Sequence, residues 1–305
     1  MAATASITAD RPATTVRSQG LMWAVLGAVA FSGKAIIVKL AYRHGVDAIT
    51  LIMYRMLFAL PAFVLMAWWA GRGREPLKAG DWLAVTGLGF SGYYLASTLD
   101  FLGLQYISAG LERLILYITP TIVMLLAWWR FGRRVSRRQL VALAVSYGGV
   151  LLVFGREVTL EGRQVALGAA LVLASTLSYA LYLLYSAEVL RRLGAMRLTG
   201  WASSVACLLC LLQFAVLRPM DAAVVAPPVL WLSLLNALLC TVAPVWMVMM
   251  AIERVGPSTT AQAGMIGPLS TILMGVWLLG EPFTAWIAVG TLFVLGGIGL
   301  LVRSR

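Results

Sequence analysis

Ten strongly apolar stretches of about the length of a membrane helix dominate the sequence. A membrane helix needs about 20 mostly apolar residues, and the predicted spans are residues 20–42, 47–70, 82–106, 110–131, 138–154, 166–190, 199–217, 229–252, 258–279 and 284–302. The short connections leave no room for a soluble domain. Only 12% of the 305 residues are charged, against about 25% in a soluble domain. The sequence therefore predicts an all-α polytopic membrane protein.

The Lys and Arg residues predict how these spans are oriented. With a cytoplasmic N-terminus, 16 of the 24 Lys and Arg residues fall in inner segments and four in outer loops. Such an excess is typical of cytoplasmic loops, so both termini are predicted to be cytoplasmic and residues 1–19 to form a disordered tail. The net charge of +12 is explained by these clusters, and we expect no nucleic-acid partner.

An internal repeat appears when the sequence is shifted by 148 residues. Gly20 then aligns with Gly168 and Pro120 with Pro268. Gly132 aligns with Gly280, and the pair Gly148–Gly149 aligns with Gly296–Gly297. Five spans in each half would make the halves inverted, an arrangement that recurs in secondary transporters.

The motifs in the second half resemble a known family. These motifs are GPSTTA at 256–261, GP at 267–268, LGEP at 279–282 and GGIG at 296–299. Matching residues in the first half are SAG at 108–110, Pro120, FGR at 131–133 and GG at 148–149. The chain resembles the EamA type of the drug/metabolite transporter (DMT) superfamily, and most of all the YddG-type amino-acid exporters. It departs from the family at Arg133, where the first repeat ordinarily carries glutamate.

The resemblance implies a ten-helix exporter of amino acids or related amphipathic metabolites, aromatic ones among them. It implies a central cavity between a first EamA-like repeat, 20–154, and a second, 155–305, with the fifth and tenth helices at the periphery. No Walker motif is present, so transport would be driven by a gradient. The fused repeat is consistent with a functional monomer in a bacterial-type inner membrane.

Five ionisable residues lie inside the predicted spans of the first half, and none of the residues 148 positions later is charged. Because a charge in hydrocarbon costs at least about 2.5 kcal/mol, such groups normally face a cavity or a partner. Two interpretations are open. In a structural role, the carboxylates would neutralise cations and hold the spans together. In a functional role, the charged groups would bind a zwitterion or carry a proton. Asp100 is the first candidate proton carrier and Glu112 the second. The five residues are Lys34, Arg55, Asp100, Glu112 and Arg113.

Polar, aromatic and sulfur-containing residues in other spans are candidates for lining the cavity, although each could be an ordinary packing residue. Together with Lys34 and Asp100, the set comprises Tyr94, Ser97, Tyr117, Tyr179, Tyr182, Asn236, Trp246, Met250 and Gln262. Trp246 is the tryptophan that an interfacial belt does not explain. Pro120 and Pro268 are candidate hinges, since proline removes a helical hydrogen bond.

The sequence predicts no metal site and no cofactor, because the chain has a single histidine, His44, and three cysteines within apolar runs. It predicts no enzyme either. The alternatives are a drug or nucleotide-sugar transporter of the same superfamily, an intramembrane lipid-modifying enzyme that would use the Asp100 and Glu112 carboxylates, and a sensor. The expected partners are a small-molecule substrate and membrane lipid.

Overall fold

A computed structural model of the protein describes residues 13–132 and 136–303, and every regular element within these ranges is a helix. In chain order the α-helices are α1 (Ala13–Tyr42), α2 (Ala48–Gly71), α3 (Ala79–Gly89), α4 (Ala96–Leu104), α5 (Ala109–Leu116), α6 (Thr119–Phe131), α7 (Arg137–Glu161), α8 (Arg163–Leu193), α9 (Ala195–Leu217), α10 (Pro227–Ala237), α11 (Ala243–Ala263), α12 (Gly267–Met274) and α13 (Ala285–Arg303).

Seven helices of the described residues are long and apolar enough to cross a membrane. They are Ser18–Tyr42, Ala48–Gly71, Ala109–Arg130, Arg137–Arg156, Arg163–Leu193, Ala195–Leu217 and Pro227–Val248. Two shorter apolar helices, Gly267–Leu279 and Ala285–Gly297, lie within the predicted ninth and tenth spans. The predicted third span corresponds to α3 and α4. The count of ten therefore stays a prediction.

Three helix boundaries differ clearly from those expected, and one of them is the end of α7, which lies at Glu161 and not at residue 154. The first helix begins at Ala13 rather than at residue 20, and the expectation for the rest of the tail, residues 1–12, lies outside the described residues. The expected connection between the eighth and ninth spans is instead part of α11, which continues to Ala263. Ala251, Glu253 and Arg254 are good helix formers, and charge by itself does not end a helix.

Irregular helical turns recur at the repeat distance. A π-helical segment, Phe90–Leu95, joins α3 to α4, and a second, Leu238–Val242, joins α10 to α11. The starts of these two segments are 148 residues apart. Gly132 and Gly280, separated by the same distance, both have left-handed backbone conformation at the end of a helical segment, with φ values of 62° and 72°. These shared irregularities are structural support for a duplication.

Pro120 and Pro268 each occupy the first turn of a new helix, α6 and α12 respectively. Proline is tolerated there because the first N–H groups of a helix have no internal partner. Each proline therefore follows an interruption of the helical rod instead of kinking a continuous one. Their role as hinges stays a prediction.

The helix pairs with the most extensive contacts also follow the repeat. Helix α1 packs on α11, and their counterparts 148 residues away, α8 and α4, pack on each other. Helices α2 and α9 are counterparts of each other and pack together, and the same is true of α7 and α13. The two halves are therefore related by an approximate two-fold exchange.

Close approach at two equivalent glycines illustrates this relation. Gly20 in α1 faces Arg254 and Val255, whereas Gly168 in α8 faces Tyr106 and Ile107, each set shifted by 148 residues. A Cβ on Gly168 would lie 2.8 Å from atoms of both neighbours. Small residues permit such close contact between membrane helices.

Candidate functional site

Lys34, Asp100 and Glu112 form a buried charged cluster between α1, α4 and α5. The Nζ atom of Lys34 donates a hydrogen bond to Oδ2 of Asp100 at 2.5 Å and lies 3.0 Å from Oε1 of Glu112. Glu112 is 0% exposed. The structure therefore brings together three of the five ionisable residues expected within spans.

The two carboxylates of this charged cluster are not equivalent. Oδ2 of Asp100 is hydrogen-bonded to Lys34, whereas both oxygens of Glu112 lack a hydrogen-bond partner. The 3.0 Å contact between Lys34 and Glu112 is thus an ion pair without good hydrogen-bond geometry. A buried polar atom without a hydrogen bond is costly. Glu112 is accordingly less stabilised in its ionised form by hydrogen bonding than Asp100.

Arg113 extends the charges towards the second half. Its Nη2 donates to the hydroxyl of Ser32 at 2.7 Å, and that hydroxyl is 2.9 Å from the carbonyl oxygen of Gly267. The guanidinium also lies over the rings of Phe31 and Tyr117. Such contacts are favourable cation–π interactions.

Tyr117 forms a second contact in this region. Its hydroxyl donates to the carbonyl oxygen of Gly264 at 2.7 Å. Gly264 begins the 3₁₀ turn (Gly264–Ile266) before α12. The first half therefore presents the hydroxyl groups of Ser32 and Tyr117 to backbone carbonyls of the second half.

Arg55 lies on α2 and makes none of the ion pairs of the charged cluster formed by Lys34, Asp100 and Glu112. Its Nε donates to the hydroxyl of Thr241 at 2.9 Å, and its guanidinium lies over the ring of Phe101 at 5.1 Å. The Thr241 hydroxyl in turn donates to the carbonyl oxygen of Asn236 at 2.9 Å. Nη1 of Arg55 and both polar side-chain atoms of Asn236 are buried without a partner.

The aromatic candidates divide into two groups. Tyr179 stacks on Tyr182 at 5.5 Å, and the Tyr182 hydroxyl is 3.1 Å from that of Tyr93. Tyr94 pairs instead with Phe90 at 5.4 Å. The sequence predicts Tyr94, and not Tyr93, as a residue that lines the cavity. The π-helical segment Phe90–Leu95 accounts for the difference from the structure, because its wider turn changes the helical phase on which an α-helical stripe depends.

The remaining candidates are dispersed. Trp246 is 43% exposed and meets Trp23 edge to face at 5.3 Å. The carbonyl oxygen of Met250 accepts from Arg254, and Ser97 is half-buried. The side chain of Gln262 lies outside the described part of the chain.

Lys39 and Glu281 connect the halves at the other end of α1. The Lys39 Nζ is 3.6 Å from Oε1 of Glu281, which also accepts from the backbone N–H of Ala109 at 2.9 Å. Lys39, Ser108 and Glu281 line a pocket of 220 Å³. This glutamate belongs to the LGEP motif, so the motif contributes an inter-half contact as well as a helix end.

Three residues that form contacts described above are not among those predicted from the sequence. Ser32 and Thr241 are single hydroxyl residues in apolar runs, a pattern that gives no signal of function. Trp23 lies near the expected start of its span and was not singled out. The free cysteines Cys207, Cys210 and Cys240 are buried, and the described residues contain no cluster of three potential metal ligands.

The duplicated helices and their buried charges define a class: an all-helical membrane protein built from two repeats. The EamA-like transporter family matches residues 18–155 and, separately, residues 166–303. The chain belongs to this family, and through it to the DMT superfamily. It is a membrane transporter by family.

Individual proteins are similar along most of their length. The uncharacterized transporter YcbK of Bacillus subtilis is 31% identical over 271 residues, covering 86% of each chain. A probable amino-acid metabolite efflux pump of Salmonella typhimurium is 24% identical and covers 92% of this chain and 94% of its own. A solved crystal structure with 16% identity and a TM-score of 0.60 covers 94% of this chain and 99% of its own, which supports the fold.

Proposed function

We propose that this protein is a secondary transporter that exports amino acids, aromatic or otherwise amphipathic, and related small metabolites across a bacterial-type inner membrane. The observation that carries the proposal is a set of buried charges of both signs beside the second half of a transporter. Lys34, Arg55 and Arg113 supply three cations, and Asp100 and Glu112 supply two anions. Such a set matches the two charges of a zwitterion.

The proposed mechanism is alternating access between two inverted halves, 20–154 and 155–305, with both termini in the cytoplasm. The exchange-related helix pairs support this mechanism, because interchange of the conformations of two similar halves moves the opening from one side to the other. Pro120 and Pro268 are the proposed hinges. One chain contains both halves, so we propose that a monomer suffices and that no cofactor is needed.

The relative from Salmonella typhimurium supports the choice of substrate class, since it is named a probable amino-acid metabolite efflux pump. The aromatic groups around Tyr182 and Trp246 are suited to apolar side chains, because rings provide large apolar surfaces with defined geometry.

The test is uptake of labelled L-phenylalanine, L-leucine, L-alanine, L-glutamate and L-lysine into proteoliposomes. Protein-free liposomes and the variants Lys34→Met and Lys78→Met are the controls, since Lys34 is buried and Lys78 exposed. We expect saturable uptake of the apolar amino acids that is lost in Lys34→Met and retained in Lys78→Met. Absence of uptake of all five by folded protein would contradict amino-acid export and favour a drug or nucleotide sugar.

A further inference from the structure

Two polar residues on one face of α10 are buried without hydrogen-bond partners for their side chains. Ser233 and Asn236 are three residues apart and therefore adjacent on the helix surface. Asn236 is 1% exposed and Ser233 is fully buried. The Oγ of Ser233 and both Nδ2 and Oδ1 of Asn236 lack a partner. The same face carries Val229 and Ala237, which belong to an apolar core.

Arg55, on α2, lies near the C-terminal end of α10, against which α2 packs. Its Nε is bound to the Thr241 hydroxyl, and this hydroxyl is bound to the carbonyl oxygen of Asn236. The Arg55 residue is 5% exposed, and its Nη1 has no partner. Two strong donors, the Nη1 of Arg55 and the amide NH₂ of Asn236, are thus buried without a hydrogen bond to any other part of the chain that the structure describes.

This arrangement is unfavourable for a purely structural arginine. A buried polar group without a hydrogen bond lowers the stability of the folded protein, and a charged group does so more. Lys34 is paired with both Asp100 and Glu112, whereas the hydrogen bond from Arg55 goes to a neutral hydroxyl. The three cations outnumber the two carboxylates by one, so the five residues together carry a net positive charge.

We propose that Arg55 and Asn236, assisted by Ser233, form the subsite that binds the carboxylate of the transported amino acid. The subsite deepens the proposed function and rests on it. A carboxylate accepts hydrogen bonds only, pairs well with a guanidinium, and supplies the missing negative charge. The amide NH₂ of Asn236 and the hydroxyl of Ser233 provide the remaining donors.

The position of Asp100 fits the other end of the same substrate. Asp100 lies on the same helix as Phe101, over whose ring the Arg55 guanidinium lies, and its carboxylate is close enough for its charge to act on Arg55. Oδ1 of Asp100 is buried without a partner, and an ammonium group is a donor only. The substrate ammonium therefore binds at Asp100 and its carboxylate at Arg55.

The experiment compares an acid with its own carboxamide as competitors of labelled uptake, using L-phenylalanine with L-phenylalaninamide and L-leucine with L-leucinamide. A charge-assisted hydrogen bond contributes about 1.5–3 kcal/mol, so the amide should compete about ten to a hundredfold more weakly in the wild type. In Arg55→Gln and Asn236→Leu this ratio should fall towards one. Arg55→Lys should restore part of it.

The matched control is Arg197→Gln, which removes a buried arginine outside the five proposed ionisable residues, one whose Nη2 donates to the carbonyl oxygen of Glu75. It should retain the acid-to-amide ratio whatever its effect on total uptake. Because the ratio is measured within each variant, differences in the amount of folded protein do not alter it. If Arg55→Gln does not fold, Arg55→Lys and Asn236→Leu provide the comparison.

Equal competition by acid and amide in an otherwise active wild type would overturn the carboxylate subsite and leave amino-acid export intact. An unchanged ratio in Asn236→Leu and Arg55→Gln would equally overturn it. If the wild type takes up no amino acid, the thermal stability of the purified protein with 3-phenylpropionate and with 3-phenylpropionamide separates the two claims. Stabilisation by the acid alone would uphold the subsite, and stabilisation by neither would overturn it.

Discussion

The Nζ of Lys34 donates to Oδ2 of Asp100 at 2.5 Å, although the two residues lie 66 positions apart in the sequence. Both side chains are buried. This hydrogen bond holds α1 against α4 and engages one carboxylate oxygen of Asp100. Glu112 shares the same lysine but has no hydrogen bond to either oxygen. If transport is coupled to a proton, we therefore expect Glu112 rather than Asp100 to carry it, the reverse of the order suggested by the sequence.

Replacement of Glu112 by Gln should remove the pH dependence of uptake if transport is coupled to a proton. The amide mimics the protonated acid at every pH, so uptake should become flat from mildly acidic to mildly alkaline buffers. Asp100→Asn is the matched control and should lower uptake while preserving the shape of the profile. The measurement is initial uptake into proteoliposomes over a series of pH values. A wild-type profile in Glu112→Gln, or a flat one only in Asp100→Asn, would contradict this assignment.

Replacement of Trp246 by Ala should reduce transport of large side chains more than of small ones. Loss of an aromatic contact costs about 1 kcal/mol, so L-phenylalanine uptake should fall about fivefold and L-alanine uptake should change little. Trp277→Ala is the control, since Trp277 is 89% exposed. The readout is the ratio of the two uptake rates. An equal loss for both amino acids would indicate a packing role.

Substitution by alanine should change the melting temperature differently at two neighbouring glycines of α7. A Cβ on Gly149 would lie 2.6 Å from the carbonyl oxygen of Gly290 in α13, whereas a Cβ on Gly148 meets nothing within 4 Å. Overpacking costs about 1–3 kcal/mol, so Gly149→Ala should lower the melting temperature measured in detergent. Gly148→Ala should maintain or raise it, because alanine favours a helix. Equal melting temperatures for the two variants would contradict the α7–α13 packing.

Asp47 should contribute stability that depends on pH. Partial burial raises the pKa of Asp47, but hydrogen bonds from the Thr50 hydroxyl and backbone N–H groups, together with the charge of Arg218, outweigh this effect and lower the pKa below its usual value. A lowered folded pKa means that the stabilisation is present above the unfolded value of about 4 and is lost as the pH falls through the folded value.

The Asp47→Asn variant isolates this charge, because asparagine also caps a helix N-terminus. We expect it to melt below the wild type at neutral pH and to converge with it in acid. Asp221→Asn, which changes an exposed aspartate in the 3₁₀ turn Met220–Ala223, is the control. A melting difference that persists unchanged in acid would show that the charge of Asp47 is not responsible.

Much of the fold could be predicted from apolar run lengths and from the 148-residue repeat. Long apolar runs must be helical in lipid because every backbone polar group needs an internal partner, and the glycines and prolines of the repeat mark equivalent helix ends. The interruptions were harder to predict. The π-helical segment at Phe90–Leu95 has no distinctive residue pattern, and the structure places Tyr93, which was not among the predicted cavity residues, against Tyr182.

The sequence predicted which charged residues belong to the candidate site, but not which cation pairs with which carboxylate. The rarity of charges in apolar spans identified Lys34, Arg55 and Asp100, since burial of each is costly. Which cation meets which anion depends on how the helices pack, so the sequence did not distinguish Lys34, bound to two carboxylates, from Arg55, bound to Thr241. The Thr241 hydroxyl comes from the other half of the chain and gave no signal of its own.

The most direct test of the central claim, alternating-access transport of amino acids, is counterflow. Proteoliposomes loaded with unlabelled L-phenylalanine are diluted into buffer with a trace of labelled L-phenylalanine, and internal label is followed with time. A carrier that alternates between two faces exchanges substrate, so we predict a transient accumulation of label above the external concentration that is absent from protein-free liposomes. Uptake without this overshoot, or no uptake at all by folded protein, would contradict the account.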